Sequence, residues 1–207
     1  MRIGIDLGGT KVEGIRLKNN GQIDQKIRIS TPTENYKSVV NTICDLINSL
    51  QTADRLSVGI GTPGTLDPQT NFMKNSDSLC INGNPFKKDL EDKLDYPIKV
   101  ENDANCFALS EAIYGAGREF TNVFGVILGT GCGGGLVVRK ALVNGPNRIS
   151  GEWGHNCMPT SVRDLIRSDR TCHCGRTNCI ETVLSGRGFK QTFTELSGIE
   201  MEPEEIT

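Results

Sequence analysis

Two glycine-rich segments, each placed between two strand-like runs, constrain the fold of this chain more than any other feature. DLGGTK (residues 6–11) joins RIGIDL to KVEGIRL, and GTGCGGG (residues 129–135) joins NVFGVIL to LVV. β-rich runs separated by a short glycine turn predict a β-hairpin. Because the same pattern occurs twice, we expect two halves with a similar plan.

The segments between these turns alternate between strand-like and helix-like patterns. QIDQKIRIS alternates as a third strand, and RLSVGIG and PIKVEND are typical of strands. Residues 34–51 carry apolar side chains at helical spacing, and residues 104–114 are predicted to form a second helix. This alternation predicts an α/β fold in which a largely buried mixed sheet is flanked by helices.

The charge distribution and the N-terminus argue against nucleic-acid and membrane partners. The chain has a net charge of −2 and no block of Lys or Arg, which gives little support to a nucleic-acid-binding surface. No signal-like segment precedes the first strand, and no apolar run is long enough to span a bilayer. We therefore expect a cytoplasmic protein with reduced thiols, in which Cys44 and Cys106 are small core residues.

The segment TCHCGRTNCIET (residues 171–182) contains three cysteines and predicts a metal site. A redox pair needs Cys-x-x-Cys at a helix start, whereas Cys172 and Cys174 are separated by one residue and Cys179 follows later. A disulfide framework does not suit a reducing compartment. Metal binding is the interpretation that remains.

A tetrahedral zinc site needs a fourth ligand beside these three cysteines. His155, in GEWGHN, can return to the cluster if residues 156–171 form a loop, and Cys157 is the alternative. His173 lies between two of the cysteines, so its side chain is expected to point away from the metal. Three Cys and one His fill the coordination sphere, which indicates a structural rather than a catalytic zinc.

The glycine turns are also candidates for phosphate binding. A backbone without side chains can direct several N–H groups at a phosphate. Neither turn matches the Walker or the Gly-x-Gly-x-x-Gly pattern, and either one alone is equally compatible with an ordinary hairpin. Asp6, at the end of the first strand, favours phosphate binding because a carboxylate there can hold the Mg²⁺ that accompanies a nucleotide.

The segment ENDANC contains a candidate catalytic base. Asp103 follows the strand PIKV and begins a helix, whose N-terminus favours the ionised carboxylate, and Asn102 can add an amide contact. A fixed, ionised Asp can orient a substrate hydroxyl and accept its proton during phosphoryl transfer. The alternative is that Asp103 is an ordinary helix N-cap.

Five motifs resemble, in order, those of the ROK family of bacterial sugar kinases: GIDLGGTK, ENDANCFALSEA, GVILGTGCGGG, GEWGHN and CHCGRTNCIET. They run through nearly the whole chain. The resemblance implies an actin-like, hexokinase-type (ribonuclease H-like) α/β fold with two domains and an active site in the cleft between them. We assign residues 1–115 to the first domain and 116–207 to the second.

The resemblance also implies the ligands and the residues that bind them. ATP with Mg²⁺ would meet both turns through Asp6, Gly8, Gly9, Thr10, Lys11, Gly129, Thr130, Gly131, Gly133, Gly134 and Gly135. Asp103 would be the base that acts on a sugar hydroxyl, and the remaining hydroxyls would be held by Asn102, Glu152, His155 and Glu181. A structural Zn²⁺ would be bound by His155, Cys172, Cys174 and Cys179. Zinc would thereby bring Glu152, His155 and Glu181 together.

The sugar is less strongly indicated than the family. KNSDSLCINGNPFKKDL resembles bacterial fructokinases (also called mannokinases), with Asn82 as a sugar contact, whereas NDANCFALSEA occurs equally in N-acetylglucosamine kinases. We expect fructose first and N-acetylglucosamine second. Two other interpretations are a sugar-binding repressor of the family, which would carry an N-terminal winged helix-turn-helix, and a non-catalytic sugar-binding fragment.

Two features depart from the family pattern. The chain stops at Thr207 in an acidic tail, whereas family members continue, so we expect an incomplete second domain and a homodimer only for the full-length protein. Cys132 lies inside the second glycine turn and is expected to be sensitive to oxidation.

Overall fold

A five-stranded mixed sheet organises the first part of the chain. β1 (Arg2–Leu7) and β2 (Lys11–Leu17) form the hairpin predicted around the first glycine turn, and β3 (Ile23–Ser30) extends it. On its other edge β1 pairs in parallel with β4 (Ser57–Thr62), which pairs in parallel with β7 (Lys99–Asn102). The strand order is β3-β2-β1-β4-β7.

Two helices contribute to the hydrophobic core that forms against this sheet. In α1 (Tyr36–Leu50) the side chain of Asn35 accepts a hydrogen bond from the Ser38 N–H, which caps the first turn. The apolar residues at helical spacing are buried as predicted: Val39, Ile43, Leu46, Ile47 and Leu50. The helix lies close to β2, because a Cβ on Gly14 would meet Leu50 Cδ1 at 2.7 Å. The second helix, α2 (Phe86–Leu94), follows the short hairpin of β5 (Thr65–Leu66) and β6 (Met73–Lys74).

A second, antiparallel sheet follows α3 (Asp103–Ile113). It consists of β8 (Asn122–Leu128), β9 (Cys132–Val138) and β10 (Ala141–Leu142), in the order β10-β9-β8. α3 packs against this sheet closely enough that a Cβ on Gly125 would lie 2.8 Å from Ala108 Cβ. Small residues at this contact therefore set the distance between helix and sheet.

The second glycine turn is shorter than the sequence pattern indicates. β9 begins at Cys132, so the turn comprises only residues 129–131, and Gly133, Gly134 and Gly135 pair with β8. Gly134 serves packing, because a Cβ there would meet Trp153 Cδ1 at 2.8 Å, and the Trp153 ring is held by Nε1, which donates to Gly133 O at 2.8 Å. The prediction that residues 129–135 form one turn was wrong because close approach of a tryptophan, as well as a turn, requires glycine.

Short helices and loops form the last part of the chain. A single 3₁₀ turn (Trp153–His155) precedes α4 (Thr160–Arg163), and α5 (Glu181–Leu184), α6 (Gly186–Ser197) and a 3₁₀ turn (Pro203–Glu205) follow. The buried guanidinium of Arg170 joins this region, since Nη1 donates to Thr182 O and Nη2 to Glu195 Oε2, each at 2.8 Å. Arg170 therefore anchors the loop before the cysteine cluster to α6.

The computed structural model describes residues 1–32, 35–76, 80–166 and 168–206. The predicted helix start at Glu34 and part of the predicted sugar segment around Ser78 lie outside these residues. The chain divides into two compact units, Met1–Cys106 with Pro146–Arg148 and Phe107–Gly145 with Ile149–Thr207. The predicted domain boundary at residue 115 stays a prediction for the whole protein. Among the described residues, no helix is both long and apolar enough to cross a membrane.

Candidate functional site

The backbone of the first glycine turn is fixed by hydrogen bonds from one threonine. The buried Thr31, which follows β3, donates its hydroxyl to Gly8 O at 2.7 Å and its N–H to Thr10 O at 3.0 Å. The turn is closed by the Gly8 N–H, which donates to Lys11 O. Carbonyls that accept protein hydrogen bonds are turned away from a bound anion, so this arrangement suits phosphate binding.

Asp6 and Asp103 lie at the same edge of the first sheet. β1, β4 and β7 are parallel, so their carboxyl ends coincide there, and Asp103 is the first residue of α3 after β7. Solvent reaches the Asp103 side chain, but partial desolvation raises its pKa and the negative charge of Asp6 adds to this shift. Burial and the nearby Glu13 raise the pKa of Asp6 in the same way.

Asn102, rather than Asp103, caps α3. Its Oδ1 accepts from the Asn105 N–H at 3.1 Å, and its Nδ2 donates to Gly64 O at 3.2 Å and to Asp103 Oδ1 at 3.1 Å. Asp103 Oδ1 also accepts from the Ala104 N–H. The predicted amide contact between Asn102 and Asp103 is therefore present, and the cap role considered for Asp103 belongs to its neighbour.

Asn82, the predicted fructose contact, is engaged with the protein backbone. Its Nδ2 donates to Ser76 O at 2.6 Å, and its Oδ1 accepts from the Ser76 N–H at 2.9 Å. Both polar atoms of the Asn82 amide are thus bound to the Ser76 backbone. Among the described residues no contact joins this amide to Asp103, and its role as a sugar contact stays a prediction.

The four predicted zinc ligands converge in the second unit. The ligand atoms of His155, Cys172, Cys174 and Cys179 all lie within 4.8 Å of one another. Cys174 Sγ is 3.7 Å from Cys179 Sγ, and His155 Nδ1 is 3.5 Å from Cys172 Sγ. A tetrahedral zinc with Zn–S of about 2.3 Å and Zn–N of about 2.0 Å separates its ligands by roughly 3.8 Å (S to S) and 3.5 Å (S to N). The donors fit this geometry. The alternative ligand Cys157 is exposed and is not part of the group.

The thiols of this group differ in how readily they ionise. Burial and hydrogen bonding by the other two thiols raise the pKa of Cys179 to about 12. For Cys174 burial acts in the same direction, but hydrogen bonds with Arg176 prevail and lower the pKa to about 6. A metal binds thiolates, so its binding would release the protons that the remaining thiols hold.

The polar residues around this group take different positions. His155 directs Nδ1 to Cys172, and its Nε2 lies 3.9 Å from Glu152 Oε2. Glu181 is buried, with Oε2 accepting from the Cys132 N–H at 2.9 Å and Oε1 lying 2.8 Å from His173 Nδ1. His173 therefore turns to Glu181 rather than completing the four-ligand group. Within the second unit, Glu152, His155 and Glu181 lie in one region, and their role as sugar ligands stays a prediction.

The comparisons with known proteins decide the family. The model of the ROK family matches residues 2–207. The chain belongs to the ROK family. A curated relative, the N-acetyl-D-glucosamine kinase of Citrobacter koseri, is 39% identical over 194 residues, which cover 91% of this chain and 64% of the relative. This ROK chain therefore spans less than two thirds of that relative's length.

Two solved structures resemble the ROK chain over nearly its whole length. The ROK hexokinase of Thermus thermophilus aligns with a TM-score of 0.83 at 26% identity, covering 99% of this chain and 66% of that one. A ROK family glucokinase from Streptomyces griseus, solved with glucose and AMPPNP, aligns with a TM-score of 0.76 at 28% identity over 95% of this chain and 62% of its own. The predicted hexokinase-type α/β fold is confirmed, whereas the preference for fructose is not.

Sequence reasoning missed several residues that shape this ROK site. Thr31 has no motif of its own, and only the fold brings it to the first turn. The oxidation sensitivity expected of Cys132 is not supported, because the thiol is buried, and burial together with the charge of Glu181 raises its pKa to about 11. The contact between Glu181 and the Cys132 N–H has no sequence signal, since the two residues are 49 positions apart.

Proposed function

We propose that the whole protein transfers the γ-phosphoryl group of ATP to a hydroxyl of a hexose, with N-acetylglucosamine as the favoured sugar. The observation that carries this proposal is the joint presence of a ROK match over residues 2–207 and of Asp103 at the start of α3, where the charge of Asp6 acts on it. The name of the Citrobacter koseri relative supports N-acetylglucosamine over fructose. Fructose remains the second candidate because of the segment around Asn82.

Asp103 is the proposed catalytic base. Its carboxylate accepts the proton of the attacking sugar hydroxyl while the new P–O bond forms and ADP leaves. The raised pKa supports this role, because a carboxylate with a higher pKa is a stronger base. Asn102 holds the carboxylate through its Nδ2 and takes over the cap that α3 needs.

Both glycine turns are the proposed phosphate-binding segments. Asp6, beside the first turn, is the residue that would hold Mg²⁺, which neutralises charge on the phosphates when bound. Thr31 donates to Gly8 O of the first turn, and in the second unit the Gly186 N–H donates to Gly129 O. These hydrogen bonds direct the turn carbonyls away from the phosphates. The structure of the Streptomyces griseus relative with AMPPNP supports nucleotide use in the family.

The second unit supplies the proposed sugar ligands and a structural zinc. Glu152 directly precedes the 3₁₀ turn that ends at His155, and Glu181 follows the last cysteine by two residues. His155 would give Nδ1 to zinc and Nε2 to a sugar hydroxyl, which makes the metal a support for the sugar ligands. A cytoplasmic location and a homodimer stay predictions for the whole protein.

A transfer assay on the whole protein tests this proposal. Purified full-length protein is incubated with ATP, Mg²⁺ and, in separate reactions, N-acetylglucosamine, fructose, mannose and glucose, and the sugar phosphate is detected by ³¹P NMR. We expect the highest kcat/KM for N-acetylglucosamine. Fructose as the best substrate would restore the first sequence-based preference. Sugar binding without transfer to any hexose would favour the repressor or non-catalytic alternatives.

A further inference from the structure

Glu181 joins the cysteine-rich segment to the second glycine turn. It follows Cys179 by two residues and is only 7% exposed. Oε2 accepts from the Cys132 N–H at 2.9 Å, and Oε1 lies 2.8 Å from His173 Nδ1. Both carboxylate oxygens are therefore engaged by protein atoms, one of which belongs to the residue directly after the turn.

The turn itself is shaped around this carboxylate. A Cβ on Gly131 would lie 2.9 Å from Glu181 Oε2, so a side chain there would displace the carboxylate. On the other side of the turn, the Gly186 N–H donates to Gly129 O at 2.7 Å. Residues 181–186, the segment that follows the last cysteine, thus form hydrogen bonds with both ends of the turn.

The same segment is fixed to the Cys/His group. Cys179 forms a backbone bridge with Cys157, and the Ile180 N–H donates to Asn156 O at 2.9 Å, directly after the 3₁₀ turn that carries His155. A metal bound by the side chains of His155 and Cys179 would add a second connection between these two backbone segments. Metal binding would thereby act on the segment that places Glu181.

We propose that Glu181 is a positioning residue that couples metal binding at the Cys/His group to nucleotide affinity at the second glycine turn. The proposal rests on the nucleotide role proposed above for that turn. It gives Glu181 a task in addition to the sugar contact that the family resemblance implies. Because linkage is reciprocal, a bound nucleotide strengthens metal binding by the same coupling free energy.

The test measures the turn and the nucleotide separately in the full-length protein. Amide hydrogen exchange at Cys132 reports the hydrogen bond between its N–H and Glu181. Calorimetric titration with a non-hydrolysable ATP analogue reports nucleotide affinity. Both are measured with zinc bound and after chelation. We expect chelation to speed exchange at Cys132 and to weaken nucleotide binding on the order of tenfold, within the range usual for coupled sites. In Glu181→Ala both parameters should already be changed with zinc bound, and chelation should add little.

Two further variants serve as comparisons. Glu181→Gln keeps an oxygen acceptor for the Cys132 N–H and should retain more affinity than Glu181→Ala. Asp169→Asn alters a carboxylate that bonds Asn178, next to Cys179, without touching the turn, so both readouts should match the wild type. If Glu181→Ala does not fold, Gly131→Ala tests the same contact from the turn.

The outcomes separate this inference from the proposed function. Normal nucleotide affinity and normal Cys132 exchange in the Glu181→Ala variant, with only sugar affinity reduced, would overturn the inference and leave the kinase proposal intact. Absence of nucleotide binding in the wild type would overturn both. Equal effects of chelation in the wild type and in Glu181→Ala would show that the metal acts on the turn by another route and would also overturn it.

Discussion

At the residue scale, the most informative feature is that Asn102 and Asp103, although adjacent, have different roles. The Asn102 side chain caps α3, so the helix does not need the Asp103 carboxylate. Partial desolvation and the neighbouring Asp6 both disfavour the ionised form of Asp103, which raises its pKa. The residue therefore retains a feature that costs stability, as is common at functional sites.

The raised pKa of Asp103 predicts a measurable response to Asp6→Asn. Removing the charge of Asp6 should lower the pKa of Asp103 toward the ordinary value of 3.8, and ¹³C-detected NMR titration of the Asp103 carboxyl in both proteins measures this directly. Since the folded pKa lies above the unfolded one, the contribution of Asp103 to stability is greatest at low pH. It decreases as the pH rises through the folded value. An unchanged or higher pKa in Asp6→Asn would contradict the closeness of the two carboxyls.

At the element scale, the turn between β4 and β5 positions the cap of α3. Gly64 has φ +77°, and its carbonyl accepts from Asn102 Nδ2. A Cβ at this position would meet Lys74 O at 2.4 Å, which is backbone and unable to move as a flexible side chain would. The glycine is thus required by both conformation and space.

Gly64→Ala is expected to destabilise the protein strongly. Strain in the left-handed region alone costs about 1–3 kcal/mol, and the clash adds to it, so Tm should fall by several degrees. Gly83 also has a positive φ (+72°), but a Cβ there would meet no atom within 4 Å. Gly59 has neither a positive φ nor an atom within 4 Å of a Cβ, so Gly59→Ala is the control. Thermal unfolding should rank the losses in the order Gly64, Gly83, Gly59. A Gly64→Ala variant as stable as Gly59→Ala would show that the turn is placed incorrectly.

The Cys/His group is the second element that can be tested by itself. Metal analysis of the purified protein should find one zinc per chain, and Cys174→Ser should lose most of it because three ligands hold zinc less tightly than four. Cys157→Ser is the matched control, since its thiol is exposed and lies outside the group. A full equivalent of zinc in Cys174→Ser would disprove the ligand assignment.

At the scale of the whole molecule, the two sheets share a plan but differ at one edge. β1 has an antiparallel partner on one side and the parallel β4 on the other, whereas among the described residues β8 pairs only with β9. Val126 and Leu128 of β8 are 45% and 56% exposed, on the same face of the strand. An unpaired edge beside exposed apolar side chains favours association.

The 207-residue chain produced by itself is therefore expected to self-associate. Replacing both Val126 and Leu128 by Thr, a β-branched residue suited to strands, removes apolar surface, and sedimentation velocity should show a shift to monomer. Leu165→Gln, which changes an exposed leucine outside the sheets, should leave association unchanged. A chain that is monomeric at all concentrations tested would contradict this expectation.

The sequence predicts the local elements well because hydrophobic period and glycine turns are local signals. β1, β2, α1 and the start of α3 at Asp103 follow from their patterns. The four-ligand group follows from ligand chemistry and spacing. What the sequence does not reveal depends on tertiary contacts: the hydrogen bonds of Thr31 to the first turn, the capping of α3 by Asn102, and the packing of Trp153 that requires glycine at position 134.

The most direct test of the account is the single-turnover rate of phosphoryl transfer in full-length Asp103→Asn. Asn keeps the Oδ1 that accepts from the Ala104 N–H but cannot take a proton, so the rate should fall by about 10²–10⁴-fold while sugar affinity changes far less. Thermal stability at neutral pH should not decrease, because Asn102 supplies the cap and a partly desolvated carboxyl is replaced by an amide. An unchanged transfer rate would show that Asp103 is not the base, and the proposed mechanism would fail.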